Sequence, residues 1–250
     1  MKKHFLLIII AITVFGCNPK NIDDCLKSEG DAVEQIVEVP FFDKLISNSR
    51  TKVFVKSGPE QQVLIQTGEN LIDDVKVSVV DNTLFLENEN GCNIFRDFEQ
   101  VKIIVTSPNL VSIRNGSGYA LESIGVLDYP NLVLLSEDGN NEDEFNTDGD
   151  FILQLESDTV ILVNNNITNY FLSGTVNTMQ ANFYGGDGRL DAPNLIVQDL
   201  SVLHRGTNKF IVNPQQSIRG EIRSTGDVIS VNQPPIVEVE EFFTGRLIFQ

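Results

Sequence analysis

The stretch VKIIVTSPNLVSIRNGSG, residues 101–118, contains the pattern that decides the fold. Two runs rich in β-branched residues flank a Pro-Asn-Leu corner, and the stretch ends in an Asn-Gly-Ser-Gly turn. Proline then recurs at intervals of 22, 63, 21 and 21 residues, the second interval being three steps of 21: Pro108, Pro130, Pro193, Pro214 and Pro235. A repeat of this length indicates stacked structural units, and we expect the prolines to mark one common corner of these units.

The flanking sequence has the features of β-strands throughout. Residues 52–56 (KVFVK) and 75–80 (VKVSVV) alternate polar and apolar side chains, which is typical of half-buried strands. Asn82 separates 75–80 from 84–87 and predicts a hairpin there. Later strands are expected to begin directly after glycine turns, as at Gly149-Asp150 and Gly226-Asp227, because glycine tolerates the positive φ of a tight corner. The sequence therefore predicts an all-β protein.

A unit of about 21 residues has room for two or three short strands and their corners. Stacking of such units pairs each strand with its equivalent above and below, which satisfies the backbone hydrogen bonds. We therefore predict a single-stranded, right-handed β-helix or related β-solenoid over residues 36–250, with coils of about 21 residues. A β-sandwich is the alternative, since it also consists of short strands and turns.

Residues 1–16 have the features of a secretory signal peptide. Lys2 and Lys3 precede an apolar run at 5–15, and Gly16 precedes Cys17. The run is too short to cross a bilayer, which takes roughly 20 residues.

The tetrapeptide Val14-Phe15-Gly16-Cys17 resembles the lipobox of bacterial lipoproteins. The resemblance implies cleavage before Cys17 and lipidation of that residue, which would attach the protein to a membrane. Asn18 in place of Asp favours the outer membrane by analogy with known lipoproteins. Plain secretion with Cys17 as a thiol is the alternative. Residues 17–35 are polar and without apolar periodicity, so they predict a flexible tether.

Charge restricts the classes of partner. The formal net charge is −17, and removal of residues 1–16 with Lys2 and Lys3 lowers it to −19. Such an acidic protein repels phosphate backbones, so nucleic acid is not an expected partner. The partners that remain are a membrane, through the lipid anchor, and a glycan or a protein.

The other two cysteines, Cys25 and Cys92, are expected to form a disulfide in an exported protein. The disulfide would close a loop of 68 residues, and in the chain-entropy model a loop of this size contributes about 4 kcal/mol. A thiol pair that binds metal is the alternative.

Few residues suit catalysis or metal binding. His204 is the one histidine of the chain after residue 16, and its place beside Arg205 and Gly206 predicts a solvated turn residue. No catalytic residue and no cofactor are predicted. The acidic run at 137–150 contains calcium-ligand candidates, and a solvated loop is the alternative. The candidates are Asp143, Asp148 and Asp150.

Four segments together resemble one known family: PFFDKLISNSRTKVFVKSG (40–58), VLIQTGENLIDDVKVSVVDNTLFLE (63–87), the stretch 101–118, and STGDVISVNQPPIVEVEEFFTG (224–245). They resemble the head GIN domain family, described as the head of autotransporter adhesins. Val228 departs from the aromatic residue that members often have there. The resemblance implies a β-helical fold at the cell envelope and supplies no catalytic residues.

The expected function is that of a non-enzymatic envelope lipoprotein whose β-solenoid surface serves binding or adhesion. Two alternatives remain. One is a carbohydrate-active enzyme, which would need carboxylates gathered on neighbouring coils. The other is a calcium-binding structural surface protein.

Overall fold

A computed structural model describes residues 27–48, 50–91, 101–138 and 145–250. Within these ranges 17 strands belong to one mixed sheet, and helical structure is limited to a 3-10 turn at Ile72–Asp74. The all-β prediction is confirmed.

The first ten strands, in chain order, are β1 Ala32–Val37, β2 Lys44–Ser47, β3 Lys52–Ser57, β4 Gln62–Gly68, β5 Val75–Val80, β6 Thr83–Asn88, β7 Lys102–Ser107, β8 Ser112–Asn115, β9 Leu121–Asp128 and β10 Asn131–Ser136. The remaining strands are β11 Phe151–Asn164, β12 Tyr170–Phe183, β13 Leu190–His204, β14 Phe210–Ile222, β15 Val228–Ser230, β16 Ile236–Glu241 and β17 Leu247–Phe249.

The amino-terminal part of the sheet contains both strand directions. β1 is antiparallel to β4, β4 to β7, and β5 to β6. The β5–β6 hairpin turns at Asp81 and Asn82, whose φ angles of 48° and 59° are those of a tight hairpin turn; the hairpin predicted at Asn82 is confirmed. β1 begins at Ala32, within the segment 17–35 predicted as a tether.

The carboxy-terminal strands pair in parallel, each with the next along the chain or the next but one. Phe151 lies opposite Tyr170, Tyr170 opposite Leu190, Leu190 opposite Phe210, and Phe210 opposite Val228, so successive partners are 18 to 20 residues apart. This parallel pairing differs from the antiparallel pairing of a β-sandwich. From β11 to β15 the interval varies between 17 and 21 residues and reaches the predicted 21 between β12 and β13, because bulges shift the register along these strands.

The prolines do not mark one common corner, and that expectation is wrong. Pro130 and Pro235 do occupy equivalent places, each directly before the first residue of a strand. These first residues, Asn131 of β10 and Ile236 of β16, belong to one row of residues that lie opposite one another from β10 through β11–β14 to β16. Pro193 and Pro214 instead lie inside β13 and β14, with Pro214 opposite Val197. Proline is tolerated within a strand where a bulge removes the need for its missing N–H group, and register shifts occur at both places.

The core consists of inward-facing side chains stacked from strand to strand. The first buried row is formed by the residues that open successive strands: Leu121, Phe151, Tyr170, Leu190, Phe210 and Val228. The rings of Phe151 and Tyr170 stack with centroids 5.0 Å apart, and Phe183 packs edge-on to Phe210 at 4.5 Å. Full burial of one such side chain contributes about 1.5–3 kcal/mol, so this stack is a main source of stability.

The long strands bend so that both of their halves face this core. In β11 the buried residues are odd-numbered from Phe151 to Ser157 and even-numbered from Val160 to Asn164. Since side chains alternate along a strand, the change of parity marks the bend. The even-numbered residues of the first half therefore face outward and form a surface.

The Asn-Gly-Ser-Gly turn of residues 115–118 closes the corner between β8 and β9. The buried Asn115 amide group donates to the backbone oxygens of Tyr119 at 2.8 Å and Asp150 at 3.0 Å, and its oxygen accepts from the Ser117 hydroxyl at 2.8 Å. These bonds satisfy backbone groups that the corner would otherwise leave unpaired.

Candidate binding groove

Two apolar side chains remain exposed on the outward face of β11 and β12. Ile152 and Phe171 lie opposite one another in the register and are 43% and 38% exposed. The residues on either side of each in sequence are buried, so the strands cannot turn these two side chains inward. They form an apolar patch at the surface.

β9 forms a wall on one side of this patch. Glu122 lies opposite Ile152 and Val126 lies opposite Gln154, so β9 has two extra residues over this interval. Gly125 within the bulge has a φ of +74°, which glycine adopts readily. The Ser123 hydroxyl oxygen accepts a hydrogen bond from the Gln154 backbone N–H at 2.9 Å, so a side chain replaces the interrupted backbone pairing.

β13 forms the opposite wall, again through a bulge. Phe171 lies opposite Asp191 and Ser173 opposite Asn194, which leaves one extra residue in β13. Pro193 lies in this interval and its backbone oxygen accepts from the Asn213 side-chain amide at 3.1 Å. The proline needs no partner for an N–H group, which suits it to a bulge.

The two bulges flank an open, shallow groove of about 430 Å³ above β11 and β12. The binding groove, as we call it, has Ile152 and Phe171 at one end and polar groups beside them, those of Gln154, Ser173 and Asn194. Its volume is within the range of small-molecule sites. Asp191 at its edge forms an ion pair with Arg189, which fixes the carboxylate there.

A second hollow of about 250 Å³ continues along the same two strands. It is lined by Glu156, Asp158, Thr175 and Asn177, and by Asp128 at the end of β9. The Asn177 amide donates to the Asp158 carboxylate at 2.8 Å. The two hollows, which we together call the depression, lie one after the other along β11 and β12 and share no lining residue. The first contains the apolar patch, and the second is acidic.

Carboxylates on neighbouring strands were the feature expected of a carbohydrate-active enzyme. Asp128, Glu156 and Asp158 meet that description, but all three are exposed to solvent. A glycosidase needs one carboxyl held protonated, usually by burial in an apolar pocket. Exposed carboxylates of this kind suit hydrogen bonding to a ligand better than acid catalysis.

Gly174 keeps the floor of the depression in place. It lies between Ser173 and Thr175 with a φ of +106°, and a Cβ atom there would lie 2.0 Å from the backbone oxygen of Leu155 in the neighbouring strand. Glycine alone permits both this conformation and this approach.

The apolar patch is part of a longer row across the outward face, which we call the outer row. The register places these residues opposite one another in order: Ile36, Leu64, Ile104, Phe54, Glu122, Ile152, Phe171, Asp191, Ile211, Ile229 and Ile248. At the usual strand spacing the row is about 48 Å long. The bulges of β9 and β13 flank it only at Ile152 and Phe171, which distinguishes the groove from the rest of the row.

His204 is buried, and its expected solvated position is wrong. The ring stacks on Phe210 with centroids 3.9 Å apart, and Nε2 lies 2.9 Å from the Asn208 backbone oxygen. Nδ1 is buried without a hydrogen-bond partner. Burial lowers the pKa of His204 to about 4, although the Asn208 bond and the Asp227 carboxylate act in the opposite direction. The ring is therefore a neutral core residue remote from solvent.

The calcium candidates divide between described and undescribed residues. Asp148 is exposed, and the Asp150 carboxylate accepts from the Asn169 backbone N–H at 2.9 Å and from its side-chain amide at 3.0 Å. Asp143 lies outside the described residues. In the part of the chain that is described, no three His, Cys, Asp or Glu residues form a metal-binding group. Calcium binding stays a prediction.

The three cysteines also lie outside the described residues: Cys17, Cys25 and Cys92. Lipidation and the disulfide therefore stay predictions. Across the ranges that the structure covers, no helix has both the length and the apolar character needed to span a membrane.

The groove residues were not singled out from the sequence, although a signal for them exists. A half-buried strand should alternate apolar and polar residues, but Phe151-Ile152-Leu153 and Tyr170-Phe171-Leu172 each place three apolar residues in succession. The middle residue of such a triplet must face outward, and in this protein the two middle residues form the floor of the binding groove. The bulges of the walls carry no comparable signal.

The family is established by comparison with known proteins. Residues 41–234 match the family described as "Putative auto-transporter adhesin, head GIN domain". The match covers most of the chain, so the protein belongs to this family, and the resemblance inferred from the sequence is confirmed. No curated protein matches the chain.

Solved structures share the fold at low sequence identity. A "putative adhesin" from Bacteroides fragilis is 20% identical with a TM-score of 0.76, and the alignment covers 88% of this chain and 97% of that one. A "putative lipid binding protein" from Parabacteroides distasonis is 13% identical (TM-score 0.63), and a "putative adhesin" from Parabacteroides merdae is 11% identical (TM-score 0.59). Both alignments again cover 88% of this chain and 97% of the other.

Family membership indicates an adhesin-like protein of the cell surface or envelope, and not an enzyme. The prediction of a non-enzymatic protein is confirmed on this ground.

Proposed function

We propose that the protein is a binding module of the cell envelope whose ligand lies in the binding groove. The observation that carries the proposal is the exposure of Ile152 and Phe171 between two bulged strands. Exposed apolar side chains at the bottom of a concave site contribute binding free energy when a ligand covers them. The side chains of Gln154, Ser173 and Asn194 beside them would orient the ligand by hydrogen bonds.

The framework that presents this groove is, in this proposal, a right-handed β-helix that spans most of residues 36–250. Parallel pairing at intervals of 17 to 21 residues supports it, because each turn of such a helix lies on the previous one. The bend within β11 supports it as well, since one strand then contributes to two faces around a single core. A rigid framework of this kind keeps a shallow groove open without a ligand.

The proposed location is the outer membrane, with the chain attached through lipidated Cys17 after removal of residues 1–16. The polar residues after Cys17 would act as the tether. A Cys25–Cys92 disulfide would join this tether to the folded domain. The signal sequence and the adhesin family support this arrangement.

The anchor is tested by labelling expressing cells with radioactive palmitate. The wild-type protein should incorporate label and fractionate with outer membranes, and Cys17→Ser should do neither. Equal labelling of the two proteins would contradict lipidation at Cys17.

Adhesive binding is tested with beads that carry the purified protein, applied to wells coated with mucin, fibronectin or whole bacterial cells. We expect retention on at least one surface and a loss of at least about tenfold with Phe171→Ser, because the groove loses its aromatic floor. Ile248→Ser is the matched control, since Ile248 belongs to the same outer row, is 40% exposed and lies outside the groove. Its retention should stay within about twofold of the wild type.

Two results would contradict the proposal. One is the absence of retention on all three surfaces. The other is an equal loss of retention for Phe171→Ser and Ile248→Ser, which would mean that retention depends on the hydrophobicity of the whole outer row and not on the groove. Circular dichroism and melting curves of both variants should match those of the wild type, since substitutions at exposed positions rarely disturb the fold.

A further inference from the structure

We propose that the ligand of the binding groove is a neutral oligosaccharide that lies along β11 and β12. This inference rests on the proposed function and assigns the chemical class of the ligand. It follows from four properties of the depression: its apolar end, its amide and hydroxyl groups, its length and its charge.

The apolar end offers a flat surface of a kind that sugar rings cover. Phe171 and Ile152 lie side by side on adjacent strands and remain about two-fifths exposed. A pyranose ring has one face made mostly of C–H groups. This face packs on the electron-rich face of an aromatic ring. Burial of this patch under such a ring removes apolar surface from water without burying a polar group.

The neighbouring groups complement sugar hydroxyls. The amide groups of Gln154 and Asn194 and the hydroxyl of Ser173 can each donate and accept hydrogen bonds. Sugar hydroxyls do the same, so several matched pairs are available beside the apolar end. Farther along, the exposed carboxylates of Glu156 and Asp158 supply acceptors for further hydroxyls.

The length of the depression suits a chain of sugars better than a single one. The floor extends from Ile152 to Asp158 on β11, about 20 Å at the usual rise per strand residue. The second hollow continues the first in the strand direction, so a linear ligand can contact both.

The charge of the depression and the backbone pairing of its strands exclude two other classes of ligand. The acidic end of the depression and the net charge of −17 repel uronic acids and sulfated sugars. A peptide strand added to the sheet is disfavoured, because β11 is already paired with β9 and β12, and β12 with β11 and β13. Addition of a strand requires an unpaired edge, and none is available at the groove.

The test is isothermal titration calorimetry of the purified full-length protein with cellotetraose, laminaritetraose, mannotetraose, fully N-acetylated chitotetraose and tetragalacturonate. We expect at least one of the four neutral tetrasaccharides to bind with a Kd below about 1 mM, and tetragalacturonate not to bind. Phe171→Ser and Gln154→Ala should each weaken that binding at least about tenfold, since each removes one kind of contact from the groove. Ile248→Ser should leave the Kd within about twofold.

The inference is overturned if no neutral tetrasaccharide binds, if tetragalacturonate binds best, or if Ile248→Ser weakens binding as much as Phe171→Ser. Release of smaller sugars from the bound tetrasaccharide would also overturn it, because the site would then be catalytic. If bead retention still depends on Phe171 while no sugar binds, the groove has another ligand and the proposed function stands. If retention is independent of Phe171 as well, both proposals fail.

Discussion

Burial of a neutral His204 should make the stability of the protein depend on pH in a defined window. The pKa of this ring is lowered from 6.5 to about 4, mainly because burial disfavours the charged form. As the pH falls below 6.5, the unfolded chain binds a proton that the folded chain excludes. The contribution of His204 is therefore complete above pH 6.5 and is lost as the pH falls towards about 4.

The size of the effect follows from the difference in pKa. At 1.36 kcal/mol per pKa unit, the shift from 6.5 to about 4 corresponds to about 3 kcal/mol. His204→Gln is a suitable reference, because glutamine does not titrate and its amide can still donate to the Asn208 oxygen. Every other side chain is common to the two proteins, so the difference isolates the pH dependence that comes from residue 204, including its interaction with Asp227.

The assay is equilibrium unfolding in urea at several pH values from about 7.5 to about 4. Circular dichroism is the appropriate signal, since the chain has no tryptophan. The free energy of unfolding of the wild type, minus that of His204→Gln, should fall by about 3 kcal/mol over this range. A difference that stays constant within about 0.5 kcal/mol would refute the reasoning, because His204 would then titrate as it does in the unfolded chain.

Four substitutions test the packing and the hydrogen bonds of the fold. Gly174→Ala should lower the free energy of unfolding by at least about 3 kcal/mol, because the new Cβ atom would collide with the Leu155 backbone oxygen. Gly125 also has a positive φ but lies in open space, so Gly125→Ala should lower it by only about 1–2 kcal/mol. Equal losses for the two variants in urea unfolding would contradict the account. Phe183→Ala should cost about 3–5 kcal/mol by the same measurement, because the buried ring packs on its aromatic neighbours, and a cost below about 1 kcal/mol would be inconsistent with that packing. Asp150→Ala should lower the free energy of unfolding by about 1–3 kcal/mol, because its two hydrogen bonds to Asn169 are lost. The calcium prediction is tested on the wild type: a melting temperature that is the same with and without millimolar calcium would contradict it.

The local structure was largely predictable from the sequence because it depends on neighbouring residues. The hairpin at Asn82 follows from the left-handed conformation that Asn tolerates. β11, β15 and β17 begin, as predicted, directly after glycine turns, at Phe151, Val228 and Leu247. Family membership was also evident from the sequence, because the segments that carry the resemblance lie largely within residues 41–234, which match the family.

The groove was not predictable because it depends on contacts between successive strands. Its floor arises only when Ile152 lies opposite Phe171, and its walls arise from unequal residue counts in β9 and β13. Pro193 appeared to mark a corner, although it belongs to a bulge within a strand. The burial of His204 likewise depends on Phe210, which comes from the next strand along the chain. No local sequence pattern indicates which residues of two strands will lie opposite one another.

The most direct test of the binding groove is an NMR spectrum of the protein with isoleucine methyl groups labelled with carbon-13. The ligand added is the neutral tetrasaccharide that binds most tightly in calorimetry. We predict a shift of the Ile152 methyl signal at saturation and unchanged signals from Ile229 and Ile248, which lie in the same outer row outside the groove. An unshifted Ile152 signal, or equal shifts at all three residues, would contradict binding between β9 and β13.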